Sequence, residues 1–281
     1  MTWSRPFAMA RIVRPLNVLL TFGSVVLGGW LSVQQFPFEL TLASIAAALI
    51  AAAGYVHNDI VDLPVDRISH PDRTLPRSKM PLRGAWILAI SCCAAGFAIS
   101  LLLPASCIIV SALTILLLAA YNLSFKRVPL LGNLVVAAVG GAPFIFGGLS
   151  VGSPARSLLP AVFAAIFHLG REILKDIQDQ LGDRTVGART LPLLTGVRAS
   201  KAIVTIVLSV LVIGIPLPAF WEITGPLYLC LGLVLDALIL LTICHMWGCQ
   251  SENELEIPSR LLKLGMVVGI SALLFDSLAG Y

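Results

Sequence analysis

Two clusters of oxygen-bearing side chains stand out in a chain that otherwise avoids charge. The first is Asn58-Asp59-Ile60-Val61-Asp62-Leu63-Pro64-Val65-Asp66, and the second holds Asp176, Asp179 and Asp183. On a helix, Asp59 and Asp62 lie three apart. Asn58, Asp62 and Asp66 lie four apart, so they share one face. The second cluster is spaced i, i+3, i+7. Carboxylates and an amide in such patterns suit a hard divalent cation such as Mg2+, and through it a phosphate. Acids at the ends of apolar helices are too costly to persist without a use. The expectation is that the two clusters face each other and hold divalent metal against a diphosphate.

The elements that must position them are apolar. A bilayer crossing takes about 20 apolar residues. Nine stretches qualify, at 14–33, 39–62, 83–103, 105–122, 131–150, 158–176, 200–219, 225–247 and 260–279. Breakers separate them: Gln34-Gln35-Phe36-Pro37, Leu103-Pro104, Lys126-Arg127-Val128-Pro129, Gly152-Ser153-Pro154 and Gly225-Pro226. Pro64 interrupts or ends the second span at the first cluster. The connections at about 63–82 and 177–199 are the long ones and are expected to form short polar caps.

Composition agrees with this reading. Hydrophobic residues make up 58% of the 281 residues and charged ones 12%, with a mean hydropathy of +0.93. Soluble domains are nearer a quarter charged. The chain is therefore an all-α polytopic membrane protein, and the run lengths exclude a β-barrel. With nine spans, 18 of the 19 Lys and Arg fall on the side of the N-terminus and the even-numbered connections, Arg5, Arg11 and Arg14 among them. Arg156 alone lies opposite. That bias puts the basic face in the cytoplasm. Eight of the 15 acids, Asp59, Asp62, Asp66, Asp72, Glu172, Asp176, Asp179 and Asp183, lie in the two clusters and their flanks, and both clusters fall on that face. The six cysteines lie in or beside apolar segments without a CxxC pair and read as small apolar side chains.

One reaction uses all of these features. A prenyl diphosphate ionises once its leaving group is neutralised by Mg2+ and by Arg or Lys. The allylic cation then needs a dry chamber, or water captures it. A bundle of membrane helices supplies that chamber. The rival reading is a cation-coupled transporter, whose acids would be spread near the midplane and not gathered at one face. Nothing points to a nucleic-acid partner or to a required protein partner.

Longer patterns carry a resemblance. Asn58-Asp59-xx-Asp62-xxx-Asp66-Arg67-xx-His70-Pro71-x-Arg73-xx-Pro76 is similar to the first signature of the UbiA superfamily of intramembrane prenyltransferases. Lys175-Asp176-xx-Asp179-xx-Gly182-Asp183-Arg184-xx-Gly187-xx-Thr190-Leu191-Pro192 resembles the second. Arg14-Pro15-x-Asn17 and Tyr121-Asn122-x-Ser124-x-Lys126-Arg127-x-Pro129-xx-Gly132-Asn133 also resemble family segments.

The resemblance implies one integral-membrane domain over residues 1–281, with nine helices ringing a central cavity and polar caps on the cytoplasmic side. It implies transfer of a prenyl group from its diphosphate to a membrane-associated acceptor, with Mg2+. Carried over by position, Asn58, Asp62 and Asp66 bind one edge of the metal diphosphate, and Asp176 and Asp179 the other. Asp59 and Asp183 complete the shells or orient basic neighbours. Arg67, Lys126 and Lys175 grip phosphate, while Asn17 and Tyr121 line the chamber. The second signature is most similar to the subgroup that makes digeranylgeranylglyceryl phosphate. Aromatic-acceptor and chlorophyll-type members have related patterns. The first signature departs from many members at Arg73-Thr74-Leu75-Pro76-Arg77-Ser78, which bears on acceptor choice.

Other residues are less pointed. His57 either assists proton removal or packs beside the first cluster. Asp236, in mid-span, is either a partner between helices or a cavity residue. His168 and His245 read as helix residues without chemistry, and Gly265-xxx-Gly269 as a site of close helix packing.

Overall fold

A computed structural model describes residues 11–69, 71–185 and 187–280. Arg5, and His70 of the first signature, lie outside the described residues. Among the described residues the regular secondary structure is all helical, with no strand. The elements are α1 (Pro15–Val33), α2 (Phe38–Val61), α3 (Leu63–Ser69), α4 (Leu82–Ser100), α5 (Ala105–Leu123), α6 (Leu131–Ser150), α7 (Leu158–Gln178), α8 (Gln180–Thr185), α9 (Leu191–Thr195), α10 (Val197–Gly214), α11 (Leu217–Phe220), α12 (Pro226–Gly248) and α13 (Glu256–Leu278). Nine helical stretches among the described residues are long and apolar enough to cross a membrane.

Proline sets many of the starts. Pro15 and Pro226 occupy first-turn positions, and Pro37, Pro81 and Pro104 stand immediately before helices. A first-turn proline loses no backbone hydrogen bond, because its missing N–H would have had no partner in the helix. Large apolar side chains such as Leu16, Leu19, Ile109, Leu116, Ile206 and Ile213 remain exposed. On helices of this length they are the surface offered to lipid. Polar hydroxyls inside the spans bond back to the preceding turn, as in Ser24 to the Leu20 carbonyl, Ser44 to Leu40 and Thr242 to Leu238.

The chain groups into two compact units. The first comprises residues 1–126 and 142–161. In it α2 packs most extensively against α4 and also against α1 and α5. Val25, Leu40, Ala43, Ala46, Cys107 and Phe146 form one buried cluster. The end of α6 approaches α1 so closely that glycine is required. A Cβ on Gly28 would lie 2.1 Å from the Phe144 carbonyl oxygen, and one on Gly147 would lie 2.0 Å from that of Val25.

The second unit comprises residues 127–141 and 162–281. Its closest pair is α12 and α13. As the sequence predicted, Gly265 and Gly269 permit this approach: Leu235 would stand 3.0 Å and 3.3 Å from a Cβ at each. The core here includes Ile173, Ile177, Val204, Leu208, Ile239 and Met246.

Both acidic clusters straddle a break in a helix. α2 ends at Val61 and α3 starts at Leu63, so Asp62 sits at the joint. α7 ends at Gln178 and α8 starts at Gln180, so Asp179 does the same. The i-to-i−4 backbone bonds persist across both joints. The Asp62 N–H bonds to the Asn58 carbonyl and that of Asp66 to Asp62. The Asp179 N–H bonds to Lys175 and that of Asp183 to Asp179. The four-residue spacing read from the sequence therefore survives the break.

Candidate active site

In the first unit the end of α2 carries a bonded set of side chains. Asn58 Nδ2 donates to Asp62 Oδ2 at 2.8 Å and to Asn122 Oδ1 at 3.1 Å. Lys126, in the short turn Phe125–Arg127 after α5, bonds Asp62 Oδ1. Arg14 Nη2 donates to Asp59 Oδ1 at 2.7 Å and lies 3.4 Å from Asn58 Oδ1. Its guanidinium carbon stands 5.3 Å from the centroid of the Tyr55 ring, within the range of a cation–π contact. Arg14 does this from a left-handed backbone, φ 52°, just before α1. Non-glycine residues seldom adopt that conformation, and held strain of this kind gathers at functional sites.

Asp66 follows on α3, buried, with both carboxylate oxygens 2.7 Å from Arg73 Nη1. Burial pushes its carboxyl above the usual value. Arg73 opposes the shift, and the nearby Asp62 and Asp59 carboxylates add to it. Each acid of the first cluster is thus matched by a different cation: Asp59 by Arg14, Asp62 by Lys126 and Asp66 by Arg73.

In the second unit Asn133, near the start of α6, donates from Nδ2 to Asp176 Oδ2 at 2.7 Å. Lys175 Nζ stands 3.6 Å from Asp179 and 4.0 Å from Glu172. Two turns before Asp176 on α7, the His168 ring fills the space where a side chain on Gly140 would go, 2.3 Å from its ideal Cβ. Asn133 and Gly140 thus meet Asp176 and His168 in antiparallel order, which aligns α6 with the acidic face of α7.

The structure brings together Asn58, Asp59, Asp62, Asp66 and Lys126 in the first unit, and Asp176, Asp179 and Lys175 in the second. Asp183 lies on α8 one turn beyond Asp179. Arg67 is exposed on α3, and neither it nor Asn17, in the first turn of α1, hydrogen-bonds a cluster carboxylate among the described residues. Tyr121 is half-buried on α5, beside Asn122. Sequence reasoning assigned no role to Arg14, Arg73, Asn122 or Asn133, although each falls inside a quoted segment. The signal was an amide or guanidinium at a helix end near an acid, which becomes informative only once its partner is known.

Asp236 is buried, and its Oδ1 accepts no hydrogen bond among the described residues. Asp276, which the sequence did not single out, does bond: it accepts the N–H groups of Gly225 at 2.8 Å and Tyr228 at 2.9 Å and so caps α12. His245 contacts Cys249 Sγ at 3.6 Å. Burial pushes the Cys249 thiol up, which makes it less reactive.

No group of three or more His, Cys, Asp or Glu side chains is gathered as a metal site among the described residues. The donors at the helix joints are nonetheless carboxylate and amide oxygens. Mg2+ takes few protein ligands and completes its shell with water and phosphate oxygens, so this donor set fits that ion.

These features define a polytopic membrane protein of helices with cation-matched acids at two helix joints. The family model described as the UbiA prenyltransferase family matches residues 18–262. A digeranylgeranylglyceryl phosphate synthase of Methanopyrus kandleri is 31% identical over 268 residues, covering 95% of this chain and 98% of that protein. One of Natronomonas pharaonis is 36% identical over 227 residues, covering 79% and 80%. A solved structure concerned with digeranylgeranylglyceryl phosphate synthase in membranes is 25% identical with a TM-score of 0.77, covering 98% of this chain and 99% of that one. A UbiA homologue from Archaeoglobus fulgidus, bound to GPP and Mg2+, shares the fold at 16% identity with a TM-score of 0.66, covering 95% and 99%. The chain belongs to the UbiA prenyltransferase family, and it is a prenyltransferase of the membrane.

Proposed function

We propose that this chain transfers a geranylgeranyl group from its diphosphate to geranylgeranylglyceryl phosphate, forming digeranylgeranylglyceryl phosphate. The observation that carries the acceptor is the likeness, over almost the whole length of both chains, to a relative of that activity. The site chemistry supports the donor. Basic groups on Arg14, Lys126, Arg73 and Lys175 lie beside the acids and suit a diphosphate leaving group.

In this reading the donor's allylic C–O bond breaks and diphosphate leaves. The acceptor's hydroxyl oxygen attacks the allylic carbon and loses its proton. Mg2+, when bound, neutralises charge on the departing diphosphate. Asn58, Asp62 and Asp66 in the first signature and Asp176 and Asp179 in the second would hold it. Asp59 and Asp183 support those shells, and Arg67, Lys126 and Lys175 grip phosphate oxygens. Asn17 and Tyr121 line the prenyl chamber, whose apolar wall keeps water from the cation. The whole chain acts as one domain, with the signatures on the cytoplasmic side, where the basic residues gather.

Purified protein, supplied with geranylgeranyl diphosphate and Mg2+, tests this directly. Geranylgeranylglyceryl phosphate is expected to be prenylated. Hydroxybenzoate, homogentisate and chlorophyllide are expected to remain unmodified, and prenylation of any of these in its place would overturn the acceptor assignment.

A further inference from the structure

We infer that Asn122 is a positioning residue that fixes the amide orientation of Asn58, with His57 fixing Asn122 in turn. The Asp62 carboxylate accepts only, so the Asn58 group 2.8 Å from Asp62 Oδ2 must be the NH2. The same NH2 lies 3.1 Å from Asn122, which must therefore present its carbonyl oxygen. The Asn122 NH2 is then left to face His57 Nδ1, at 3.1 Å. That nitrogen accepts, and the ring proton sits on Nε2. The direction of every bond follows from one carboxylate. Its consequence is that Asn58 Oδ1 is turned to the side of Arg14, 3.4 Å away, where a positive partner belongs.

An amide oxygen is a ligand for a hard cation, whereas an amide NH2 is not. Asn122 is buried in the last turn of α5. The His57 ring lies 5.6 Å from that of Trp86, which holds it in place. The three side chains thus form a rigid relay that presents an oxygen and not an NH2. The inference rests on the proposal that Asn58 ligates Mg2+.

The experiment is a double-mutant cycle on the full-length protein, reading the Mg2+ concentration that gives half-maximal turnover. Asn122→Leu removes the acceptor for the Asn58 NH2 and is expected to raise that concentration about tenfold, the worth of one net hydrogen bond. His57→Phe keeps a ring against Trp86 but removes the acceptor, and is expected to move it in the same direction by about threefold, for a contact one step removed. In an Asn58→Ala background the Asn122→Leu effect should vanish. The melting temperature shift produced by Mg2+ with inorganic pyrophosphate gives the same comparison without turnover. An Asn122→Leu effect that persists in full beside Asn58→Ala would overturn the relay, as would unchanged Mg2+ dependence in both Asn122→Leu and His57→Phe. An Asn58→Ala protein with ordinary Mg2+ dependence would remove Asn58 from the metal, and the inference with it.

Discussion

Arg14 and Asp59 are 45 residues apart in sequence and 2.7 Å apart in the structure. The Asp59 side chain is 8% exposed and that of Arg14 31%. The carboxylate is the more deeply buried partner, so it depends on the guanidinium more than the reverse. Arg14→Ala leaves a desolvated charge behind. Its expected cost is about 3 kcal/mol, the low end for breaking a buried pair, because Arg14 remains partly wet. Arg14→Ala with Asp59→Asn should recover part of this loss, since the orphaned charge is gone. Thermal unfolding in detergent measures the stability, and turnover should stay low in both variants.

Asp62 and Asp176 are expected to be indispensable for transfer. Asp62→Ala and Asp176→Ala should each reduce turnover at least about a thousandfold, the scale on which removal of a preorganised charged group is felt. Both proteins should still insert and elute as one species by size exclusion. Full turnover in either variant would refute the prenyl diphosphate reading of its cluster.

Asn133 holds Asp176 from α6. Asn133→Leu removes the donor without adding charge, and about tenfold lower turnover is expected from the loss of one hydrogen bond to a carboxylate. Asn133→Asp should be worse than Asn133→Leu, because two acids would then meet at that contact. Steady-state rates of the two variants give the order.

The α1–α6 approach gives a stability test remote from chemistry. Gly28→Ala and Gly147→Ala each drive a methyl group into a backbone carbonyl. Each is expected to cost about 1–3 kcal/mol, the range for overpacking. Gly23→Ala on the same helix meets nothing within 4 Å and should be silent. Melting temperatures of the three variants make the comparison.

Asp276 makes a further prediction. Asp276→Ala leaves the N–H groups of Gly225 and Tyr228 without their acceptor, at an expected cost of about 1–2 kcal/mol. Asp276→Asn keeps one acceptor oxygen and should recover part of this. The Mg2+ dependence of turnover should be unchanged in both, which separates this cap from the signature residues.

Much of the architecture was legible because membrane helices announce themselves by length and by their breakers. Pro37, Pro104 and Gly225-Pro226 fall where the helices begin. The misplaced boundaries share causes. Residues 101–103 continue an apolar run, yet they turn, because Leu103, immediately before Pro104, is disfavoured in helical geometry. α10 and α13 start before the apolar runs at 200 and 260, because Val197-Arg198-Ala199 and Glu256-Ile257-Pro258-Ser259 already form their first turns, where Pro258 is tolerated. The break at the first cluster falls at Asp62, two residues before Pro64, as a proline that disrupts the preceding turn requires. The matching break at Asp179 has no proline to signal it.

What the sequence by itself determined was the class of molecule, the positions of its acids and their four-residue spacing. Helical periodicity and the absence of water in a bilayer leave little freedom there. Only the tertiary structure decided that Arg14, Lys126 and Arg73 each answer a different aspartate, and that Asn122 turns the amide of Asn58. Arg14 and Asp59, Lys126 and Asp62, and Asn122 and Asn58 are far apart in the chain, and Arg73 reaches Asp66 from beyond the end of α3, so helical periodicity carries no information about any of them. The direction of an amide is fixed only by the groups that close around it.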